Sequence, residues 1–228
     1  MKLARNCAAW ISVPIFMTAA LAAVGSWYGS AIALVGSLFM LFFHRDPDRR
    51  PEGEGMISPA DGRIIQASPE RITIFMGPCD VHVNRAPLDG IVKRTEHIRG
   101  GHAPAFLYTA SRNQQNRIDL ETSEGDIELR QITGTLVREI ICYVRPGDKV
   151  LRGERIGMIR FGSRVEVTIP KGFDLMVKNG DKVRAGETII AVNHSALNGR
   201  ACASAKSLGH DRPVDVKLAR LQSENGGP

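Results

Sequence analysis

An internal repeat in the second half of the chain constrains the fold more tightly than any other feature of the sequence. The pattern from Val144 to Ile156 recurs from Val177 to Ile189, at a constant offset of ~33 residues. Each copy holds a Gly-Asp turn, an apolar residue, a second glycine turn and a stretch typical of a β-strand. Two copies are too few for a solenoid. We therefore predict two quasi-equivalent, lipoyl-like hairpins within one small β-barrel or β-sandwich.

Short β-branched stretches extend this pattern from about residue 56 to residue 192. Arg71–Phe75 and Val165–Ile169 are examples, and turns rich in glycine, proline, aspartate and asparagine separate such stretches. The pattern predicts a mainly β domain over residues 56–192. A chain of 228 residues has room for one such domain and a membrane segment, but not for two full domains.

The first 44 residues are apolar and almost free of charge after the first few positions. Two apolar stretches, Ala8–Val24 and Ala31–Phe43, flank a break at residues 25–30. Each is short for a crossing helix, which needs about 20 residues, so a helical hairpin or a re-entrant loop is as good an interpretation as two spans. Basic residues flank both ends, which predicts that both lie in the cytoplasm. We expect residues 1–44 to associate with the cell membrane, with the β domain on the cytoplasmic side.

A cleaved signal peptide is the alternative interpretation of this apolar segment. Its apolar region would be shorter and would end at a small-residue cleavage site, whereas a second apolar stretch follows at once here. The sequence favours the retained membrane segment.

Two further segments differ in composition from the β-rich region. Residues 45–55 combine prolines, which interrupt helices, with charges that resist burial, and they are predicted to form a linker. Residues 193–228 are mostly small and polar, which favours a largely disordered tail.

The formal net charge of +6 is compatible with a nucleic acid or with an anionic membrane surface. Basic residues are scattered, and aromatic residues make up only 6% of the chain, which disfavours a stacking platform for nucleic acid. We therefore predict a membrane partner and no nucleic-acid partner.

Cysteine and histidine spacing gives no support for a metal site. The four cysteines are far apart and form no Cys-x-x-Cys motif, and the six histidines show no spacing typical of metal ligands. A phosphate-binding glycine loop is also missing from the sequence. We predict reduced thiols, no metal and no external cofactor.

A Gly-Ser pair, Gly162 and Ser163, lies between two strand-like stretches directly after the first repeat. On local sequence alone this pair is an ordinary hairpin turn. The residues around it, taken together with three other motifs, support a more specific interpretation.

Four motifs occur in a characteristic order: Phe42–Pro47 at the end of the apolar segment, then Ser58–Gly62, Val81–Pro87 and Arg160–Val165. In this order they resemble the short, membrane-associated form of the phosphatidylserine decarboxylase family, and the resemblance extends from Met1 to about Val192. The ordered set is specific, although each motif alone is weak.

The resemblance implies that the chain cleaves itself between Gly162 and Ser163. The products would be a large chain, residues 1–162, and a small chain, residues 163–228, that remain together as a heterodimer. Ser163 would become a covalent pyruvoyl group, the cofactor that forms a Schiff base with the substrate amine. The reaction implied is the decarboxylation of phosphatidylserine to phosphatidylethanolamine. Glycine at position 162 suits such a cleavage, because it tolerates strained backbone and close approach.

Self-cleavage needs a base and decarboxylation needs an acid, and His82 is the best candidate because imidazole titrates near neutral pH. Asp61 is the candidate that would orient His82. Without the resemblance, His82 is equally a buried strand residue and Asp61 an ordinary Asp-Gly turn. Longer family members carry a second histidine where this chain has Arg85, which leaves the division of the two roles open.

Arg85, Arg112 and Asn113 are weaker candidates for binding the phosphate or carboxylate of the head group. Taken singly, arginines of this kind are more often solvated surface residues.

Two other functional classes remain open from the sequence. The repeated turns also fit a membrane-anchored lipoyl-like or biotinyl-like carrier, but such a module needs a lysine at a hairpin tip, and Lys149 and Lys182 lie inside the repeated turns. A non-catalytic membrane scaffold is the third class. The sequence leaves open the choice between ester-linked and ether-linked lipids, and whether a higher oligomer forms.

Overall fold

The computed structural model describes residues 2–51, 53–135, 137 and 139–194. The helices in these ranges are α1, Ala8–Ala23; α2, Trp27–Phe43; and a 3-10 helix, Tyr108–Arg112. The strands of the first half are β1, Lys2–Leu3; β2, Arg45–Asp46; β3, Met56–Ile57; β4, Gly62–Ser68; β5, Arg71–Met76; β6, Val83–Arg85; and β7, Gly90–Ile98. Those of the second half are β8, Gln115–Thr122; β9, Gly125–Ile132; β10, Ile140–Cys142; β11, Lys149–Val150; β12, Arg155–Ile159; β13, Ser163–Thr168; β14, Phe173–Leu175; β15, Lys182–Val183; and β16, Ile189–Asn193.

Antiparallel pairing joins these strands into four sheets. The largest has eight strands in the order β11-β7-β8-β9-β13-β5-β4-β15. Two sheets have three strands each, β10-β12-β6 and β14-β16-β3, and β1 pairs with β2. The predicted mainly β fold is confirmed.

Alternation of apolar and polar residues explains why the large sheet has one buried face. In β9, Ile127 and Leu129 are buried in the main core, whereas the alternate residues Glu128 and Arg130 lie on the opposite, half-exposed face. Each fully buried aliphatic side chain of this kind contributes about 1.5–3 kcal/mol to stability. Strand β13 lies between β9 and β5 and is buried over most of its length.

The two copies of the sequence repeat adopt similar backbone conformations. Gly147 and Gly180 both have φ of +93°, and the second glycines, Gly153 and Gly186, have φ of +85° and +77°. The strands that follow the first turns, β11 and β15, form opposite edges of the eight-stranded sheet. Strands β12 and β16 are the middle strands of the two three-stranded sheets. The likeness of these units to lipoyl-type hairpins stays a prediction.

Helices α1 and α2 contact each other through small polar side chains. Ser30 Oγ donates to the Thr18 backbone oxygen at 3.1 Å, and the hydroxyls of Thr18 and Ser37 lie 3.3 Å apart. Within the described part of the chain, no helix combines the length and the apolar character that crossing a membrane requires. The membrane association of residues 1–44 stays a prediction.

The segment predicted as a linker makes several contacts with the β domain. Asp46 forms ion pairs with Arg85 at 3.1 Å and with Arg155, and Arg49 forms one with Asp61. These charges are held by partners of opposite sign. The predicted tail lies outside the described residues from Ser195 onward, and Asn193 is the last residue of β16.

Candidate active site

Gly162 and Ser163 lie where a tight turn enters strand β13. We call residues 160–163 the Gly-Ser turn. Phe161 and Gly162 both have φ of +54°. This left-handed conformation is unfavourable by roughly 1–2 kcal/mol for a residue with a Cβ such as Phe161, and it is tolerated by glycine. The backbone directly before Ser163 is therefore strained.

The Ser163 side chain is fully buried and is weakly held. Ser163 pairs with Met76 across the β13-β5 ladder, and its Oγ donates to the Met76 sulfur at 3.5 Å. A thioether sulfur is a weak acceptor. Redirecting the Ser163 hydroxyl therefore costs little free energy. Among the described residues it forms no hydrogen bond with His82, the predicted base.

A chain of buried amide side chains lies behind this sulfur. Asn84 Nδ2 donates to Met76 Sδ at 3.7 Å, and Asn84 Oδ1 accepts from Gln131 Nε2 at 2.8 Å. Gln131 Oε1 in turn accepts from Asn116 Nδ2 at 2.9 Å. These hydrogen-bonded amide side chains fix the surroundings of Ser163. Sequence reasoning missed them, because Gln131 and Asn116 belong to strands far from position 163 in sequence.

His82 is completely buried and presents one free ring nitrogen. Its Nδ1 donates to the Asp80 backbone oxygen at 2.9 Å, so Nε2 carries the lone pair. No hydrogen-bond partner for Nε2 is present among the described residues. Burial lowers the pKa of His82 to about 4, against the opposing effect of the Asp80 hydrogen bond. The ring is neutral at pH 7, and its Nε2 can accept a proton.

Phe43, the last residue of α2, connects His82 to the Gly-Ser turn. The Phe43 ring lies 4.2 Å from the His82 ring and 4.2 Å from the Phe161 ring, centroid to centroid, and its plane is 12° from that of Phe161. The His82 backbone oxygen also accepts from Ile159 N at 3.2 Å. The Phe43 ring thus lies between the predicted base and Phe161, the residue before the predicted cleavage site.

A second buried histidine, His44, follows Phe43 directly. Its Nδ1 donates to the Met40 backbone oxygen at 2.9 Å, and its Nε2 has no partner among the described residues. Burial is the main cause that lowers the pKa of His44. His44 belongs to the Phe42–Pro47 motif of the sequence analysis, which gave it no role.

Asp61 does not orient the His82 ring, contrary to expectation. Both carboxylate oxygens are occupied by Arg49, whose Nη2 lies 2.8 Å from Oδ2. Oδ1 also accepts from Ala185 N at 2.8 Å, and Oδ2 from Val81 N at 3.3 Å. Asp61 therefore acts on His82 through the backbone of the preceding residue and through its charge, which opposes the lowering of the His82 pKa.

Arg85 is committed to an internal ion pair. Its guanidinium is buried and donates to Asp46 Oδ1 at 3.1 Å, to Pro47 O at 2.8 Å and to Gly153 O at 2.9 Å. A buried arginine with these three partners is not available to bind a head group. Arg85 therefore does not make the predicted substrate contact, and its side chain instead holds residues 46–47 on the β domain.

Asn113 is also committed to the fold. Its amide exchanges two hydrogen bonds with the Ala103 backbone, at 2.8 and 2.7 Å, and donates to Thr133 O at 2.7 Å. Arg112, next to it, is exposed at the end of the 3-10 helix. Of the three candidates for head-group binding, Arg112 alone presents its side chain to solvent.

Metal ligands do not cluster in the described part of the chain: no group of three or more histidine, cysteine, aspartate or glutamate residues there has the geometry to hold an ion. Cys7, Cys79 and Cys142 are free thiols.

Comparison with known proteins assigns this arrangement to a family. A family profile described as phosphatidylserine decarboxylase matches residues 37–191. The chain is 43% identical over 201 residues to the phosphatidylserine decarboxylase proenzyme of Streptomyces avermitilis, an alignment that covers 83% of this chain and 93% of the relative. It is 44% identical over 198 residues to the enzyme of the same name from Thermobifida fusca, covering 82% and 91%.

Archaeal proteins are similar to the same extent. A protein of Methanococcoides burtonii named "Putative archaetidylserine decarboxylase proenzyme" is 42% identical over 198 residues, which cover 83% of this chain and 95% of the relative. The matched part of the chain includes all four motifs noted above.

Proposed function

The chain belongs to the phosphatidylserine decarboxylase family, a family of carboxy-lyases made as proenzymes, and we propose from this premise that it decarboxylates a serine phospholipid after cleaving itself between Gly162 and Ser163. The observation that carries the proposal is the strained Gly-Ser turn, in which two residues with φ of +54° precede a buried serine. Strain of this kind is common at reactive sites.

The proposed cleavage converts an amide into an ester and then breaks the ester. Ser163 Oγ forms a bond to the Gly162 carbonyl carbon, the C–N bond breaks, and the hydroxyl proton ends on the released nitrogen. Removal of the Ser163 α-proton then breaks the Cβ–Oγ bond, which leaves a carboxylate on Gly162 and dehydroalanine at position 163. Water replaces the nitrogen, which leaves as ammonia, and the product is a pyruvoyl group.

The surroundings of Ser163 suit such a group. Residue 163 is buried at the start of a central strand, and its hydroxyl is held by a sulfur alone among the described residues. A neutral histidine, His82, whose Nε2 has no partner there, lies one aromatic ring away from Phe161. The pyruvoyl ketone supplies an electron sink for the pair of electrons that carbon dioxide leaves behind. His82 is the proposed proton acceptor in cleavage and proton donor in turnover. No direct hydrogen bond joins His82 to Ser163 among the described residues, so the proposal requires the Ser163 hydroxyl to leave the Met76 sulfur before its proton is transferred.

The two chains are proposed to remain together as a heterodimer after cleavage. Strand β13 begins at Ser163 and pairs with β5 on one side and β9 on the other, so the new end of the small chain lies in the middle of the large sheet. Strands β15 and β16 of the small chain pair with β4 and β3 of the large chain. These pairings do not depend on the broken bond.

A phospholipid in a membrane is the proposed substrate. The two helices expose large apolar side chains such as Phe16, Trp27 and Ile32, which fits association of residues 1–44 with a lipid surface. An apolar groove of ≈ 420 Å³ between the helices extends to Trp10. The Trp10 ring lies 6.2 Å from the Phe161 ring, centroid to centroid, so the groove ends beside the Gly-Ser turn. We place the β domain on the cytoplasmic side of the cell membrane.

Replacing Ser163 with alanine tests the proposal. The variant should remain one full-length chain and should form no phosphatidylethanolamine from phosphatidylserine in mixed micelles, whereas the control Ser68→Ala, in the β4-β5 hairpin, should be cleaved and active. Decarboxylation by the Ser163→Ala protein would contradict the proposed cofactor. An uncleaved, inactive wild-type chain would instead favour the carrier or scaffold class.

A further inference from the structure

The carbonyl group of Gly162 lies directly against the backbone of Gly134. A Cβ added to Gly134 would overlap with the Gly162 carbonyl oxygen and would lie 2.9 Å from the carbonyl carbon. Gly134 is not among the glycines with positive φ. Glycine is therefore required here by the lack of space and not by the backbone conformation.

Hydrogen bonds hold Gly134 in this place from the residue before it. Thr133 N and Thr133 Oγ1 each donate to the Gln114 backbone oxygen at 3.0 Å. The Thr133 oxygen accepts from Asn113 Nδ2 at 2.7 Å, and Asn113 itself is buried and bonded to Ala103. The backbone of Thr133 is thus fixed on both its donor and its acceptor side.

We infer that Gly134 is a positioning residue for self-cleavage, because it sets the orientation of the carbonyl group that Ser163 attacks. The inference rests on the function proposed above. Attack by Ser163 Oγ must come from one face of the Gly162 carbonyl, so the rotation of the peptide plane decides whether the hydroxyl can reach the carbon. Contact with Gly134 restricts this rotation from one side, and the positive φ values of Phe161 and Gly162 restrict it from within the chain.

In this arrangement Asn113 supports the backbone near the cleavage site and does not bind the head group. By holding Thr133, it fixes the backbone that supports the Gly162 carbonyl. The hydrogen of Gly134 that faces the carbonyl oxygen adds a weak C–H···O contact, and the main effect is steric.

The test uses the full-length chain, synthesised in the presence of detergent micelles, with cleavage followed over time by denaturing mass spectrometry. Gly134→Ala should slow cleavage by on the order of 100-fold, since a displacement of about 1 Å at a reacting group has this effect. The matched control is Gly90→Ala, in which the new Cβ would lie 2.6 Å from the Glu121 backbone oxygen, away from the Gly-Ser turn. This control meets the same kind of backbone clash and should still be cleaved.

Hydroxylamine identifies the step that is blocked, because it cleaves the ester but not the amide. Gly134→Ala should give no more fragment with hydroxylamine than its own slow cleavage produces, and a strongly hydroxylamine-sensitive Gly134→Ala chain would show that the amide-to-ester step proceeds without the glycine. Cleavage of folded Gly134→Ala at the wild-type rate would also overturn the inference.

If Gly134→Ala does not fold, Thr133→Val decides the question, since it removes one hydrogen bond at nearly constant volume. It should fold and cleave several-fold more slowly, and cleavage at the wild-type rate would overturn the inference. A wild-type chain that never cleaves would contradict the proposed function as a whole, whereas cleavage of either folded variant at the wild-type rate would contradict only the role of Gly134.

Discussion

Asp61→Asn should destabilise the protein strongly, because Asp61 is the acceptor for four donors. Its carboxylate accepts from two nitrogens of Arg49 and from the backbone of Val81 and Ala185. The Asp61 and Arg49 side chains are only 10% and 8% exposed. Asparagine turns an amide NH₂ toward these donors and leaves the Arg49 guanidinium with only the longer ion pair to Glu187, at 3.7 Å. Breaking a buried ion pair in this way costs about 3–5 kcal/mol.

Urea unfolding of the uncleaved Ser163→Ala background measures this cost without interference from processing. The cost corresponds to a fall in melting temperature on the order of 10 °C for a domain of this size. A double variant, Arg49→Met with Asp61→Leu, should regain part of the stability, because apolar replacement of a whole buried pair is often neutral, whereas Val81 N and Ala185 N lose their acceptor. Asp126→Asn, which disrupts an exposed pair with Lys93, is the control and should change little.

Cleavage in the double variant, measured with Ser163 present, separates stability from chemistry. Leucine cannot accept the hydrogen bond from Val81 N, which holds the residue before His82. The double variant should therefore cleave slowly, although it should be more stable than Asp61→Asn. An Asp61→Asn protein as stable as its parent would refute the reasoning, and so would a double variant no more stable than the single one.

Three further predictions concern His82, Phe43 and Arg85. The folded-state pKa of His82, about 4, is below its ordinary value of 6.5. Between these pH values the unfolded chain binds a proton that the folded chain does not, so the free energy of unfolding falls as the pH decreases from 6.5 to 4. His82→Leu should remove about 3 kcal/mol of this loss in urea unfolding, and an unchanged pH profile would contradict the assignment. Phe43→Ala should cost about 3–5 kcal/mol in the same assay and slow cleavage, because it empties the space between His82 and Phe161; a stable, normally cleaved variant would disprove the connecting role. Arg85→Met should preserve the KM for phosphatidylserine in whatever fraction folds, and a large rise in KM with normal stability would return Arg85 to head-group binding.

The mainly β fold could be predicted from the sequence because strands and turns are signalled by residues close together in the chain. Alternation in stretches such as Ile127–Ile132 and the glycines of the repeat determine strand and turn positions without reference to distant residues. The position of Ser163 at the start of a strand followed for the same reason. Residues His82 and Gly162 were recognised through ordered motifs, and the structure connects His82 through Phe43 to Phe161, the residue before Gly162.

Contacts between residues distant in sequence explain what sequence reasoning missed. The partner of Asp61 is Arg49, in a segment interpreted as a linker, and the partner of Arg85 is Asp46 in the same segment. A charged residue carries no local sign of whether it is solvated or paired inside the fold. Gly134 likewise gave no signal, because its requirement for glycine arises from a carbonyl group 28 positions further along the chain.

The measurement that tests the central claim most directly is the denatured mass spectrum of the purified wild-type protein. The account predicts two fragments, residues 1–162 and residues 163–228, with the smaller one lighter by one ammonia than a fragment that begins with serine. A single intact chain from a preparation that decarboxylates phosphatidylserine would contradict the account, since activity would then not depend on a group made from Ser163.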